Sequence, residues 1–219
     1  THETTDRRSG AGALNFDGTN DKINLGTLNT QIGNSAPGSK NTLTISSWIY
    51  RDTSGDQRIV CKSPSTTTGD HKFSLGINND KLRMRIGVDG NNAVQHDGNA
   101  ILPLNEWTHV AMTYDGTNLK SYVNGTLDTT DSLTGTTINS SPHDVYIGNS
   151  HNTNGRNFDG KLDDVGIWNV ALDANHIAEL AGPGNLTATA AINDGSVSGK
   201  PPGTLTVTPD LTGTLGTPV

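Results

Sequence analysis

Glutamate is nearly missing from this 219-residue chain: Glu3, Glu106 and Glu179 are the whole supply. Hydrolysis of a glycosidic bond by the usual route needs two carboxylates facing each other across the scissile bond. None of the three Glu sits mid-strand beside a second acid, and no E-x-D-x-E strand occurs. The Ser and His residues show no nucleophile-elbow pattern. The chain therefore reads as a non-enzyme. Cysteine occurs once, at Cys61, so no internal disulfide can form, and its place in the run Arg58-Ile59-Val60-Cys61 reads as a small buried hydrophobe. Basic residues are also in deficit, 15 against 22 acidic ones, for a net charge of −7. That balance argues against nucleic acid and anionic membrane surfaces as partners, since both require a basic face. No apolar run approaches the length of a membrane-spanning helix, and no signal-like segment is apparent.

What is present is turn chemistry. Glycine accounts for 26 residues, Thr and Asn are abundant, and only 31% of the chain is hydrophobic, which describes many strands and little helix. Leu14, Phe16, Ile23 and Leu25 alternate inward near the start, and Leu43 to Tyr50 alternates cleanly. Phe73, Leu75 and Ile77 are followed by Asn78-Asn79-Asp80 and then Leu82, Met84, Ile86 and Val88, which is a hairpin by spacing. Trp107 to Tyr114 and Leu119 to Val123 form a second hairpin around Asp115-Gly116, with a tight turn at Asn124-Gly125. The stretch that organises the chain is FDGKLDDVGIWNVALDANHIAEL, Phe158 to Leu180. It reads as a strand followed by a short helix with Asp173 at the N-cap and Ile177 and Leu180 on one face. Its opening triplet, Phe158-Asp159-Gly160, repeats Phe16-Asp17-Gly18, as expected of a protein that closes by pairing its first and last strands.

In their order, FDGTNDKINL, TLTISSWIY, EWTHVAMTYDGTNLKSYVNGTL, DVYIGNS and the organising stretch resemble laminin-G-like (concanavalin A-like) jelly-roll domains, with pentraxins as more distant relatives. The resemblance covers roughly residues 11 to 182. It implies an all-β fold: a two-sheet antiparallel jelly-roll sandwich with one short C-terminal helix. Residues 1–12 then form a polar N-terminal arm and residues 13–182 the jelly-roll domain. Residues 183–219 are a Thr/Gly/Pro-rich, β-prone C-terminal extension, an assembly strand or a linker. Because the chain begins at Thr1, a processed product or an excised piece is expected.

The same resemblance implies two places for calcium, an ion that takes several hard oxygen ligands. One is a structural site where first and last strands meet, drawing on Asp17, Asp21, Asp159, Asp163 or Asp164. The other is a loop-edge site onto which Asp56, Asn149 and Asn152 fall, with Ser150 and His151 standing where further oxygen ligands are expected. The seven His show no paired spacing for zinc and read as scattered surface residues, although His143 and His151 flank one strand and loop and could meet at one rim. All three Trp fall in core motifs and are expected to be buried, which leaves no obvious stacking platform. A sugar would then use one polar rim: Asp56, Arg58, His71, Asn149, His151, Asn152, Asn154 and Arg156.

Two functions are compatible with these features. The first expectation is a non-enzymatic structural or adhesion protein of an extracellular, cell-surface or virion-surface assembly. Its terminal extensions would join neighbouring copies, or other surface proteins, by strand addition. The alternative is a calcium-assisted carbohydrate-binding module excised from a larger secreted protein.

Overall fold

The computed structural model describes residues 2–3, 8, 12–32, 41–64, 67–151 and 155–182. The C-terminal extension, 183–219, lies outside the described residues. Two antiparallel sheets stack face to face. The larger has the order β1 (His2–Glu3), β2 (Ala13–Asp17), β13 (Asp159–Trp168), β4 (Leu43–Arg51), β9 (Trp107–Tyr114), β10 (Asn118–Val123) and β11 (Thr126–Ser132). The smaller runs β3 (Ile23–Asn24), β12 (Val145–Ile147), β5 (Gln57–Lys62), β6 (Phe73–Asn78), β7 (Lys81–Ile86) and β8 (Val94–Ile101). The helix α1 spans Ala174–Leu180.

The two FDG triplets explain how the sandwich closes. Asp17 and Gly160 belong to neighbouring strands, with Asp159 opposite Asp17 and Gly160 opposite Phe16. Phe16 and Phe158 meet edge to face in the core, ring centres 6.1 Å apart. Gly160 is required by both its backbone and its surroundings. Its φ is +129°, and a Cβ there would stand 2.1 Å from the Tyr50 carbonyl oxygen. Only glycine lets β13 lie this close to β4.

Inward residues of both sheets fill one core, among them Ile45, Ile49, Val60, Leu75, Met84, Val110, Met112 and Leu162. The hairpin turns follow their chemistry. Asn79 and Asp80 both have positive φ, as do Asn124 and Gly125, so each two-residue turn has the twist that suits a hairpin. A second, smaller apolar cluster lies on the outer face of the larger sheet, where Ile177 of α1 packs with Ala111, Tyr122, Trp168 and Leu172. Asp173 caps the helix, accepting from the backbone N–H groups of Asn175 and His176.

Two elements depart from the sequence reading. The polar stretch Val94–Ile101 is a full edge strand, and the N-terminal arm contributes a two-residue strand, His2 opposite Leu14 and Glu3 opposite Ala13. Trp48 and Trp168 are buried as expected, whereas Trp107 is only half-buried, stacked edge-on with Tyr50 at 5.7 Å. It opens β9 on the outer face of the larger sheet.

Candidate functional site

A β-strand points alternate side chains to opposite faces, so the outer face of the smaller sheet is decided by register. On β6 the outward residues are Ser74 and Gly76. Arg58 and Arg83 are both opposite Gly76, while Cys61 and Arg85 are both opposite Ser74. Arg83 in turn faces Asp97, and Arg85 faces Gln95. Small residues on the central strand thus leave room for long ones from both neighbours to lie across it. A Cβ on Gly76 would come within 2.6 Å of the Gln57 carbonyl oxygen and 3.5 Å of Arg58 Nη1.

The segment after β12 brings a fourth guanidinium. The Arg58 backbone N–H donates to the Arg156 carbonyl at 2.9 Å, which fixes that loop beside β5. Asp56 lies 3.4 Å from Arg83 Nη1 and 3.7 Å from Arg156 Nε, and Asp97 accepts from Arg83 Nε at 3.1 Å. Gln95 Oε1 accepts from Arg85 Nε and Nη2 at 3.1 and 2.7 Å. Arg58 and Arg85 are only 1% and 2% exposed. Burial and the neighbouring guanidiniums push Arg85 down to about 9 and Arg58 below its ordinary value, with Cys61 and Asp56 opposing the shift at Arg58. Burial pushes the Cys61 thiol up, so it stays neutral beside Arg58.

The predicted rim divides. Asp56, Arg58 and Arg156 come together, joined by Arg83 and Arg85, which the sequence reading does not single out. Asn149 is buried nearby and used structurally, its amide donating to Asn157 and its oxygen accepting from the Ser150 N–H. His151 meets His143, ring centres 5.2 Å apart, and lies 6.1 Å from the ring of Tyr146. His71 is not part of the group. It precedes β6, five residues from Gly76, or roughly 16 Å along the strand. Asn152 and Asn154 lie outside the described residues.

Four of the acids expected to hold calcium accept hydrogen bonds from the chain itself. Asp17 Oδ1 accepts from the Thr19 N–H at 2.8 Å, and Asp21 Oδ2 from the Asp17 N–H at 3.1 Å. Asp159 accepts from the Thr53 hydroxyl at 2.9 Å. Asp163 accepts from the backbone of Asp164 and Arg8, at 2.9 and 2.8 Å, and Asp164 itself sits exposed with φ +48° in a bulge. Asp159 and Asp163 are four residues apart on one strand, roughly 13 Å. Calcium requires six to eight converging oxygens. Among the described residues no three His, Cys, Asp or Glu side chains converge in a way that could hold a metal ion.

The sandwich and its strand order point to one superfamily, and the comparison with family models agrees. The model of the concanavalin A-like lectin/glucanases superfamily matches residues 17–178. The chain belongs to this superfamily. Among curated proteins none matches the chain. Solved structures sharing the concanavalin A-like fold include a native heptameric pentraxin from Limulus polyphemus, 20% identical with a TM-score of 0.57, covering 78% of this chain and 81% of that one. Another is the CBM40 of a Ruminococcus gnavus sialidase, bound to sialyllactose (17% identical, TM-score 0.55, 74% and 97% covered). A third is domain 4 of an extracellular arabinanase from Geobacillus stearothermophilus in complex with arabinotriose (17%, TM-score 0.58, 83% and 87% covered). At these identities the likeness is one of fold. No helix among the described residues is long and apolar enough to cross a membrane.

Proposed function

We propose that this protein is a non-enzymatic, lectin-like carbohydrate-binding module, displayed outside the cell, whose ligand face is the outer surface of the smaller sheet around Arg58, Arg83, Arg85, Arg156 and Asp56. The observation that carries this reading is the composition of that face. Its outward positions hold guanidinium, carboxylate and amide groups, with small residues between them. Planar polar groups of this kind each engage two adjacent hydroxyls, which is how protein surfaces select saccharides without extensive apolar contact. The sugar complexes of two structural relatives support the reading.

Surface assembly is the second reading, favoured by one contact. The N-terminal arm adds a strand to the edge of its own sheet at β2, the kind of pairing that a neighbouring copy could replace.

The test is a binding screen of the 219-residue chain against neutral and acidic polysaccharides, with calcium and with chelator, followed by analysis of the bound glycan for cleavage. Binding that survives chelator and leaves the glycan intact is expected. An absence of binding across the panel, or the appearance of shortened products, refutes the lectin reading. Large oligomers in solution would favour assembly.

A further inference from the structure

We propose that Arg58, Arg85 and Arg156, with Arg83 beside them, form a receptor for the carboxylate of an acidic saccharide. The inference rests on the glycan-binding reading and names the ligand class. Four guanidinium groups meet on this face, and among the described residues the carboxylates bonded to them are two, Asp56 and Asp97. Even these are spent mostly on Arg83. The contacts of Asp56, at 3.4 and 3.7 Å, exceed the 2.7–2.9 Å typical of a charge-assisted bond. What remains is a set of donors short of acceptors. Nη1 of Arg85 and Nη1 of Arg156 are inaccessible and have no hydrogen-bond partner among the described residues, and Nη1 and Nη2 of Arg58 find at most the weakly accepting sulfur of Cys61.

Buried cations are ordinarily paired, and an unpaired one is strongly destabilising. The neutral Cys61 thiol supplies no counter-charge. The excess of positive charge is also local, in a chain whose overall charge is −7. A face built this way favours an anion that reaches it through Arg156.

The surroundings narrow the anion to one borne on a sugar. A guanidinium fork matches the two oxygens of a carboxylate in plane. At the rim, the side chains of Asp56 and Asp97 are 32% and 34% exposed and offer acceptors to hydroxyl groups. Those acids would repel a polyanion but suit a ring carrying one carboxylate among several hydroxyls. Arg156, with its side chain 29% exposed, is the accessible member, and Arg58 and Arg85 form the floor. Entry of the ligand exchanges the loose Asp56–Arg156 pair for a direct carboxylate contact.

The experiment is calorimetric titration of the full chain with D-glucuronate and N-acetylneuraminate, with D-glucose as the neutral arm and acetate and sulfate as anions without a sugar. Arg156→Gln is the rim variant, and its melting temperature is measured alongside to establish folding. Arg58→Gln tests the floor in the same way. The sugar acids are expected to bind, glucose to bind at least tenfold more weakly, and Arg156→Gln to lose at least tenfold in affinity while melting as the parent does. Added salt should weaken binding. Equal binding of glucose and glucuronate overturns the carboxylate assignment while leaving the lectin reading intact, as does an unchanged affinity in a folded Arg156→Gln. Binding of acetate or sulfate with none of the sugar acids overturns the saccharide class. Should neutral polysaccharides also fail, the lectin reading falls with it.

Discussion

His109 carries a pH dependence that can be worked from its surroundings. It lies on β9, 1% exposed, edge-on to Trp48 with ring centres 5.4 Å apart. Its backbone is tied to Asn124, whose side-chain oxygen accepts its N–H at 2.9 Å, but its ring Nδ1 has no partner among the described residues. Burial alone pushes its pKa down from 6.5 to about 4. Between those two values the unfolded chain holds the proton and the folded chain does not, so stability must fall as the pH drops through 6.5 toward 4. From pH 7 to pH 4.5 the loss attributable to this one group is about 2 kcal/mol, since each tenfold difference in proton affinity between the folded and unfolded chains is worth about 1.4 kcal/mol. Replacement by Phe keeps a ring against Trp48 and removes the titration. Urea unfolding of both proteins at pH 7 and 4.5 isolates the contribution of His109, because every other carboxylate and imidazole titrates in both. The parent is expected to lose about 2 kcal/mol more than His109→Phe over this interval. Parallel losses in the two proteins would refute the reasoning, since they would mean that the buried imidazole accepts its proton without penalty.

Two further substitutions test how the sandwich is closed. Gly160→Ala places a methyl group 2.1 Å from the Tyr50 carbonyl at a φ of +129°. The combined clash and strain should cost about 3–5 kcal/mol and lower the melting temperature by roughly 10 °C in thermal unfolding; a shift of a degree or less would refute it. Asp128 on β11 clasps the opposite sheet, its carboxylate accepting from the backbone N–H groups of Asn99 and Ala100 and from the Ser121 hydroxyl. Asp128→Ala should cost about 1–3 kcal/mol and speed amide hydrogen exchange at Asn99 and Ala100 specifically; exchange that is unchanged there would show that the clasp holds nothing.

The sequence is most legible where turn chemistry and alternation coincide. Asn124-Gly125 announces its hairpin, Asp173 its helix, and the repeated FDG triplet the pairing of first and last strands. Val94–Ile101 escapes a sequence reading because VQHDGNAI, with Asp, Gly and Asn at its centre, is poor in strand formers. It is a strand because β7 offers an edge and because Asp128 satisfies two of its own free N–H groups. The arginine face is half legible. Arg58 and Arg156 stand out in the sequence, and Lys81-Leu-Arg-Met-Arg-Ile86 shows that Arg83 and Arg85 share a face. What the sequence does not supply is register across three strands, which alone puts Arg58 and Arg83 opposite the same glycine.

That register also separates stability from recognition. The apolar residues that hold the sandwich together point inward from β5, β6 and β7, at Val60, Leu75 and Met84. On the reverse of the same strands, a fold under pressure for stability alone could carry Thr or Val, which suit a pleated surface. Instead the central strand carries the small residues Ser74 and Gly76, which pack little across a pleated surface, and both neighbours carry arginine. Glycine in a strand costs stability, and so do guanidinium groups withdrawn from water with some of their N–H groups unpaired. The two costs fall on the same few residues and serve one geometry, in which Arg58, Arg83 and Arg85 lie beside the small residues of β6. A face that is expensive in two independent ways, yet leaves the core untouched, is better explained by what it binds than by what it holds together.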